Sequence, residues 1–194
     1  MVAGWMLVTG SPAAASSCPS TGVQVTGLSA GAMEGSIACL INEERAAHGV
    51  QPVQANSELH QAALSHSTEM VSQGYFEHTS PAGVTFIDRI AATGYTQGAR
   101  SWEVGENLVW GTGALSTPLS LVTSWMNSPP HRENLLRAGF REIGIAAVVG
   151  TPVTSRDTTG VTVSSEYGYR SFAKAKQKKR GKRTAHRYRR RHAN

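Results

Sequence analysis

The spacing of apolar residues changes after Gly139 from a helical period to a period of two, and that change limits the folds open to this chain. Before it, Ile37, Leu40 and Ile41 recur at helical spacing behind Ser36, a candidate cap, with Gly49 as the stop. A second helix is predicted from Asn56-Ser57, with Leu59, Ala62, Ala63, His66 and Met70 on one face and Gly74 ending it. A third, shorter helix is predicted over about Val84 to Ala92. A fourth starts at Thr117-Pro118, a cap followed by proline at the first helical position, and carries Leu121, Val122 and Trp125. It must stop near Ser128, because Pro129 disfavours α geometry in the residue before it. Beyond Gly139, Ile143, Ile145, Ala147 and Val149 alternate with other residues, as do Val161, Val163 and Ser165. These runs predict an antiparallel hairpin around a 150–160 loop. Four helices followed by a small covered sheet make an α+β domain.

Charge divides the chain more sharply than periodicity does. The net +6 averages two unlike segments, since all five lysines and six of the fourteen arginines lie between Lys174 and Arg191. The rest holds eight arginines against 13 acidic residues, a net of −5, and no lysine. Residues 173–194 are too poor in aliphatic side chains to drive their own ordering and are expected to form a disordered basic tail. Its charge suits anionic cell-wall polymers or an anionic membrane surface. Nucleic acid is the weaker expectation, because Tyr188 is the one stacking ring in the tail.

At the other end, residues 1–15 read as a secretion signal without its basic leader. The apolar stretch Val2 to Val8 runs into Ala13-Ala14-Ala15, a small-residue cleavage pattern. Residues 16–35, rich in Ser, Gly and Thr, are expected to form an arm, and 36–172 the folded domain. Outside the cell two cysteines, Cys18 and Cys39, suggest a disulfide. Two free thiols and a lipidated Cys18 are the alternatives. No uncharged run approaches the roughly 18 residues of a membrane-spanning helix.

Three strings carry the candidate chemistry: Tyr75-Phe76-Glu77-His78-Thr79-Ser80-Pro81, Val104-Gly105-Glu106-Asn107-Leu108 and Trp125-Met126-Asn127-Ser128-Pro129-Pro130-His131-Arg132. Two imidazoles and a carboxylate suffice for a metal site or a proton-transfer site. His78 falls in a turn between the Gly74 stop and Pro81. His131 falls in the first turn of a short helix capped by Ser128, where the helix dipole disfavours imidazolium. Glu106, among apolar neighbours, needs partners or a raised pKa if buried, although an exposed loop position is the simpler local reading. His66 reads as a satisfied core histidine, His48 and His60 as solvent-facing, and Trp110 and Trp125 as core packing. The gaps of 28 and 25 residues between the three candidates fit no short metal motif. There is no His pair at i, i+4 enclosing an acid, no Gly-x-Ser-x-Gly turn, no phosphate loop and no cysteine cluster.

With His66-Ser67-Thr68-Glu69-Met70 before them and Phe140-Arg141-Glu142-Ile143-Gly144-Ile145 after, these strings resemble the bacterial branch of the CAP superfamily. That superfamily unites cysteine-rich secretory proteins, insect venom allergens and plant pathogenesis-related class 1 proteins. The resemblance spans about Ser36 to Phe172. It implies an α-β-α sandwich, an extracellular protein, and a solvent-filled cleft lined by His78, Glu106 and His131 that can hold zinc or another divalent metal. Animal and plant members add a second glutamate from the helix before the last histidine. Here that segment is shorter and Ser128 stands in it, with Glu103 and Glu133 nearby. Two functions follow as expectations. One is a non-enzymatic module that binds a metal or small ligand in the cleft and is localised by its tail. The other is a hydrolase in which zinc acidifies a bound water and Glu106 is the general base.

Overall fold

The computed structural model describes residues 16–153 and 159–173. The expected secretion signal and the basic tail beyond Ala173 lie outside the described residues. Five α-helices and four strands occur among those described: α1 (Ala30–Ala47), β1 (Gln54–Ala55), α2 (Ser57–Gln73), α3 (Phe86–Ala92), β2 (Ser101–Thr112), α4 (Pro118–Asn127), α5 (Pro129–Leu136), β3 (Glu142–Val149) and β4 (Gly160–Ser171). The sheet order is β1-β3-β4-β2. The predicted β3–β4 hairpin is antiparallel, β2 pairs antiparallel with the other edge of β4, and β1 adds a short parallel contact to β3.

Local chemistry accounts for most helix boundaries. The Asn56 side chain accepts from the Leu59 N–H at 3.0 Å to start α2, and Gly74 ends it at φ 72°, a left-handed conformation that favours glycine. Thr85 and Asp88 form a reciprocal capping box on α3, and Thr117 caps α4 with Pro118 in its first turn. One boundary differs from expectation. The first helix begins six residues before Ser36, capped by Ser29. Ser36 sits inside it and donates instead to the Pro19 and Ala32 carbonyls at 2.7 and 2.9 Å. A hydroxyl inside a helix can bond back to the carbonyl four residues earlier, so a serine before an apolar run does not by itself mark a start.

The larger correction concerns the sheet. Its longest strands include β2, inserted between helices rather than following them, and Glu106 lies at the centre of that strand, not in a loop. On local grounds Gly105 and Asn107 beside it favour a loop. In the fold Gly105 leaves room for Asn134, whose Oδ1 would lie 3.0 Å from an added Cβ. Trp110, expected in the core, is 40% exposed near the end of β2.

Helices cover both sheet faces. Ile143, Ile145, Ala147, Val161, Val163, Tyr167 and Val109 join Met33, Ile37, Leu40 and Ile41 of α1, Leu121, Val122 and Trp125 of α4, and Leu135 of α5 in one apolar core. The opposite face meets α2 and is far more polar. Ser67 of α2 donates to Ser164 of β4 at 2.9 Å, and Gly144 of β3 sits so close to α2 that an added Cβ would lie 2.0 Å from the His60 nitrogen. Ile90 of α3 packs with Leu59, Ala62 and Tyr95 beside it. Fully buried Arg45 ties the end of α1 to the last turn of α5 and the segment after it by donating to the carbonyls of Leu135, Arg137 and Phe140. The disulfide forms, with Cys18 and Cys39 bridged at a Cα separation of 5.7 Å, and it fastens the N-terminal arm to α1.

Candidate functional site

The site is carried by β2, the strand at one edge of the sheet, with α3 and α5 both in contact with it. Glu106 projects toward the α2 side and is only 4% exposed, so it lies beneath the surface rather than lining an open wall. Its Oε1 pairs with His78 Nδ1 at 2.7 Å, and its Oε2 accepts from Arg89 Nη2 at 2.7 Å. Arg89 also donates to the His78 and Val84 carbonyls, so one guanidinium from α3 fixes both the carboxylate and the turn that carries His78. His66 is fully buried as expected. Its Nε2 bonds to the Glu77 carbonyl at 2.9 Å, one residue before His78, and lies 3.9 Å from Glu106 Oε2.

His131 arrives from the other layer, in the first turn of α5. Asn107 donates to the His131 carbonyl at 2.9 Å, and Asn134 donates to the carbonyl of Glu106 and to Asn107 Oδ1. The two asparagines therefore lock α5 onto the strand that holds Glu106. Neither ring nitrogen of His131 hydrogen-bonds to protein among the described residues. The predicted Ser128 side-chain cap is absent.

The charges follow from these contacts. The hydrogen bond to Glu106 is the main cause that raises the His78 pKa above its ordinary value of 6.5, against the opposing effect of burial. His131 is shifted down by burial and by the neighbouring charge of His78. Burial alone would raise Glu106; the hydrogen bond from His78, the adjoining Glu166 carboxyl and the charges of Arg89 and His66 outweigh it and hold its pKa below the ordinary 4.5. The His78–Glu106–Arg89 unit is thus a buried anion held between a cation and an imidazole that is 53% exposed.

The three expected residues do share one region, but their donor atoms do not close on a single point. Among the described residues, the group of three or more candidate ligand atoms that lie within 4.8 Å of one another is Cys18, Cys39 and Glu43, whose two sulfurs are already bonded to each other. Both Glu106 oxygens are engaged, one by a cation, which opposes its use as a metal ligand. The donor chemistry that fits a divalent metal is His78 Nε2 and the His131 ring, with Glu106 behind His78 orienting it. Glu103, a nearby acid in the sequence, pairs instead with Arg137 at the surface.

Sequence reasoning missed Arg89 and Glu166. Glu166 lies on β4 directly across from Glu106 and is fully buried. Extending the alternation of Val161, Val163 and Ser165 to Tyr167 would have placed Thr162, Ser164 and Glu166 together on the opposite face. Nothing in the local sequence of α3 marks Arg89. A groove of about 580 Å³ lies apart from these residues, between α1 and the start of α2, with Glu34 and His60 in its wall.

A four-stranded mixed sheet covered by helices on both faces is the architecture of a CAP-type domain. The chain belongs to the cysteine-rich secretory protein family, whose profile matches residues 39–167. It is 31% identical over 132 residues to the uncharacterized protein YkwD of Bacillus subtilis (strain 168), an alignment covering 68% of this chain and 49% of that protein. The chain thus spans about half the length of that curated relative. Two solved structures are similar in fold. One is an extracellular protein containing an SCP domain from Bacillus anthracis str. Ames (TM-score 0.56, 24% identity, 71% of this chain and 40% of that one). The other is an outer surface protein of Borrelia burgdorferi (TM-score 0.57, 21% identity, 70% of this chain and 90% of that one). No helix among the described residues is long and apolar enough to cross a membrane.

Proposed function

We propose that this chain is a secreted, non-enzymatic binding module that takes a divalent metal such as zinc, or a small ligand bearing one, between His78 and His131. The observation that carries the reading is the bond from His78 Nδ1 to Glu106, which leaves Nε2 uncommitted on a half-exposed ring. Ligating imidazoles are typically held in this way, with the second nitrogen donating to a carboxylate that fixes tautomer and orientation. The depressed pKa of His131 favours the neutral ring that a metal requires. Two imidazoles leave tetrahedral positions for water or a ligand group. The enclosure of Glu106 supports binding over hydrolysis, since a general base must reach the proton it removes. The basic segment 174–191 would hold the module against anionic cell-wall polymers or an anionic membrane surface.

Calorimetric zinc titration of the full chain against His78→Ala and His131→Ala tests the cleft. Each variant should bind at least tenfold more weakly; equal affinity in all three removes the site. Hydrolysis of peptide, ester or peptidoglycan substrates that disappears in Glu106→Gln would turn the reading toward an enzyme. Deleting residues 174–194 should abolish retention on an anionic wall polymer at low salt, and undiminished retention contradicts the tether.

A further inference from the structure

Glu166 occupies the middle of the central strand, opposite Glu106 on one side and Gly144 on the other, with no exposed surface. Neither of its oxygens receives a hydrogen bond among the described residues. Of the donors nearby, Arg89 Nη1 and Nη2 bond to Val84, His78 and Glu106, and His66 Nε2 bonds to Glu77, while Arg89 Nε has no partner among the described residues and makes no bond to Glu166. An ionised carboxylate that is fully buried and makes no hydrogen bond, beside a second carboxylate, is untenable. As the neutral acid the same group has a ready acceptor, because it lies within hydrogen-bonding reach of Glu106.

We propose that Glu166 is the second carboxyl of the site, a neutral acid that donates its proton to Glu106 and so positions Glu106 to receive His78. The result is a chain of hydrogen bonds from the sheet interior to the surface, Glu166 to Glu106 and Glu106 to the Nδ1–H of His78. Arg89 supports the carboxylate from α3. The chain holds His78 in the tautomer with a lone pair on Nε2, the form that can ligate a divalent cation. Burial and the adjacent Glu106 charge push the Glu166 carboxyl well above the ordinary range, consistent with this state. Animal and plant members add a second carboxyl from a helix; in this chain, which has Ser128 in that segment, β4 supplies it instead. Only the last step, ligation by His78, rests on the metal-binding reading; the shared proton does not.

Isotope-edited infrared spectroscopy and imidazole ¹⁵N spectra of the full chain test the proposal, with Glu166→Gln and Glu166→Leu as variants. At pH 7 the wild type should show a protonated-carboxyl stretch that Glu166→Gln lacks. Glu166→Gln can still donate an N–H to Glu106, so it should keep the His78 tautomer and bind zinc within about twofold of wild type. Glu166→Leu should mix the tautomers and weaken zinc roughly tenfold, as loss of a supporting group beneath a ligand does. Absence of the protonated-carboxyl band, which would mean an ionised Glu166 paired with the unpartnered Nε of Arg89, overturns the proposal. So does an unchanged tautomer in Glu166→Leu. If wild type binds no zinc, the metal reading fails, while band and tautomer still decide the role of Glu166.

Discussion

Replacing Arg89 by methionine removes the cation from a pair whose side chains are 5% and 1% exposed, leaving Glu106 ionised and buried without its counter-charge. Breaking a buried pair by removing one partner costs roughly 3–5 kcal/mol, a large share of the 5–15 kcal/mol that typically holds a domain folded. The carbonyls of His78 and Val84 also lose their donor, but they lie in a partly exposed turn where water can replace it, so that loss adds little. The pH dependence has a definite sign. In the wild type Glu106 is held below its ordinary 4.5, so it contributes stability that is present above that value and lost as pH falls through the folded pKa. Without Arg89 that contribution shrinks or reverses. The deficit of Arg89→Met should therefore be largest near pH 7 and narrow as pH falls toward 4.5 and Glu106 takes up a proton. Adding Glu106→Gln should restore most of the loss, because it removes the stranded charge. Urea denaturation of the oxidised full chain at pH 7 and pH 5, for both single variants and the double, measures this. A loss below about 1 kcal/mol at pH 7, a deficit that widens toward acid, or strictly additive variants would each refute the reasoning.

Other outcomes follow from separate parts of the molecule. Gly144→Ala should destabilise by about 1–3 kcal/mol in the same assay, because the new Cβ would sit 2.0–2.6 Å from backbone atoms of Leu59 and His60, which cannot move without shifting α2; a change under 0.5 kcal/mol would mean that α2 slides freely. The double variant Cys18→Ser/Cys39→Ser should lose roughly 3 kcal/mol, the closure entropy of a loop with sequence separation 21; intact stability would show that the arm is held by its other contacts. Zinc must displace a proton from His78, whose pKa lies above its ordinary 6.5, so apparent affinity should fall by up to about tenfold per unit as pH drops below that pKa. Calorimetry at several pH values checks this, and a flat profile contradicts ligation by His78.

Several features were legible in the chain itself because their causes are local. Asn56 and Gly74 bound α2, Thr117-Pro118 starts α4, and the alternation after Gly139 marks β3 and the start of β4. The positions of His78 and His131 could be read as well, one in a turn after a glycine stop and the other in a proline-led first helical turn. The strand character of Glu106 was hidden. Gly105 and Asn107 signal a turn in isolation, whereas in the fold glycine makes room for Asn134 and the asparagine binds α5. Trp110 misled for the opposite reason, since a large ring near a strand end need not meet a covering helix.

Charge segregation, the helical and two-residue periods and the two cysteines are properties of residues near one another in the chain, and the sequence alone determined them. The environment of Glu106 belongs to the tertiary structure. It is set by Arg89 from a short helix, His78 from a turn, and Glu166 from a strand 60 positions away in register. Whether a carboxyl is an exposed loop acid or a buried anion sharing a proton depends on which donors surround it and how much water is excluded. Both are fixed only when distant strands pair and helices close over them.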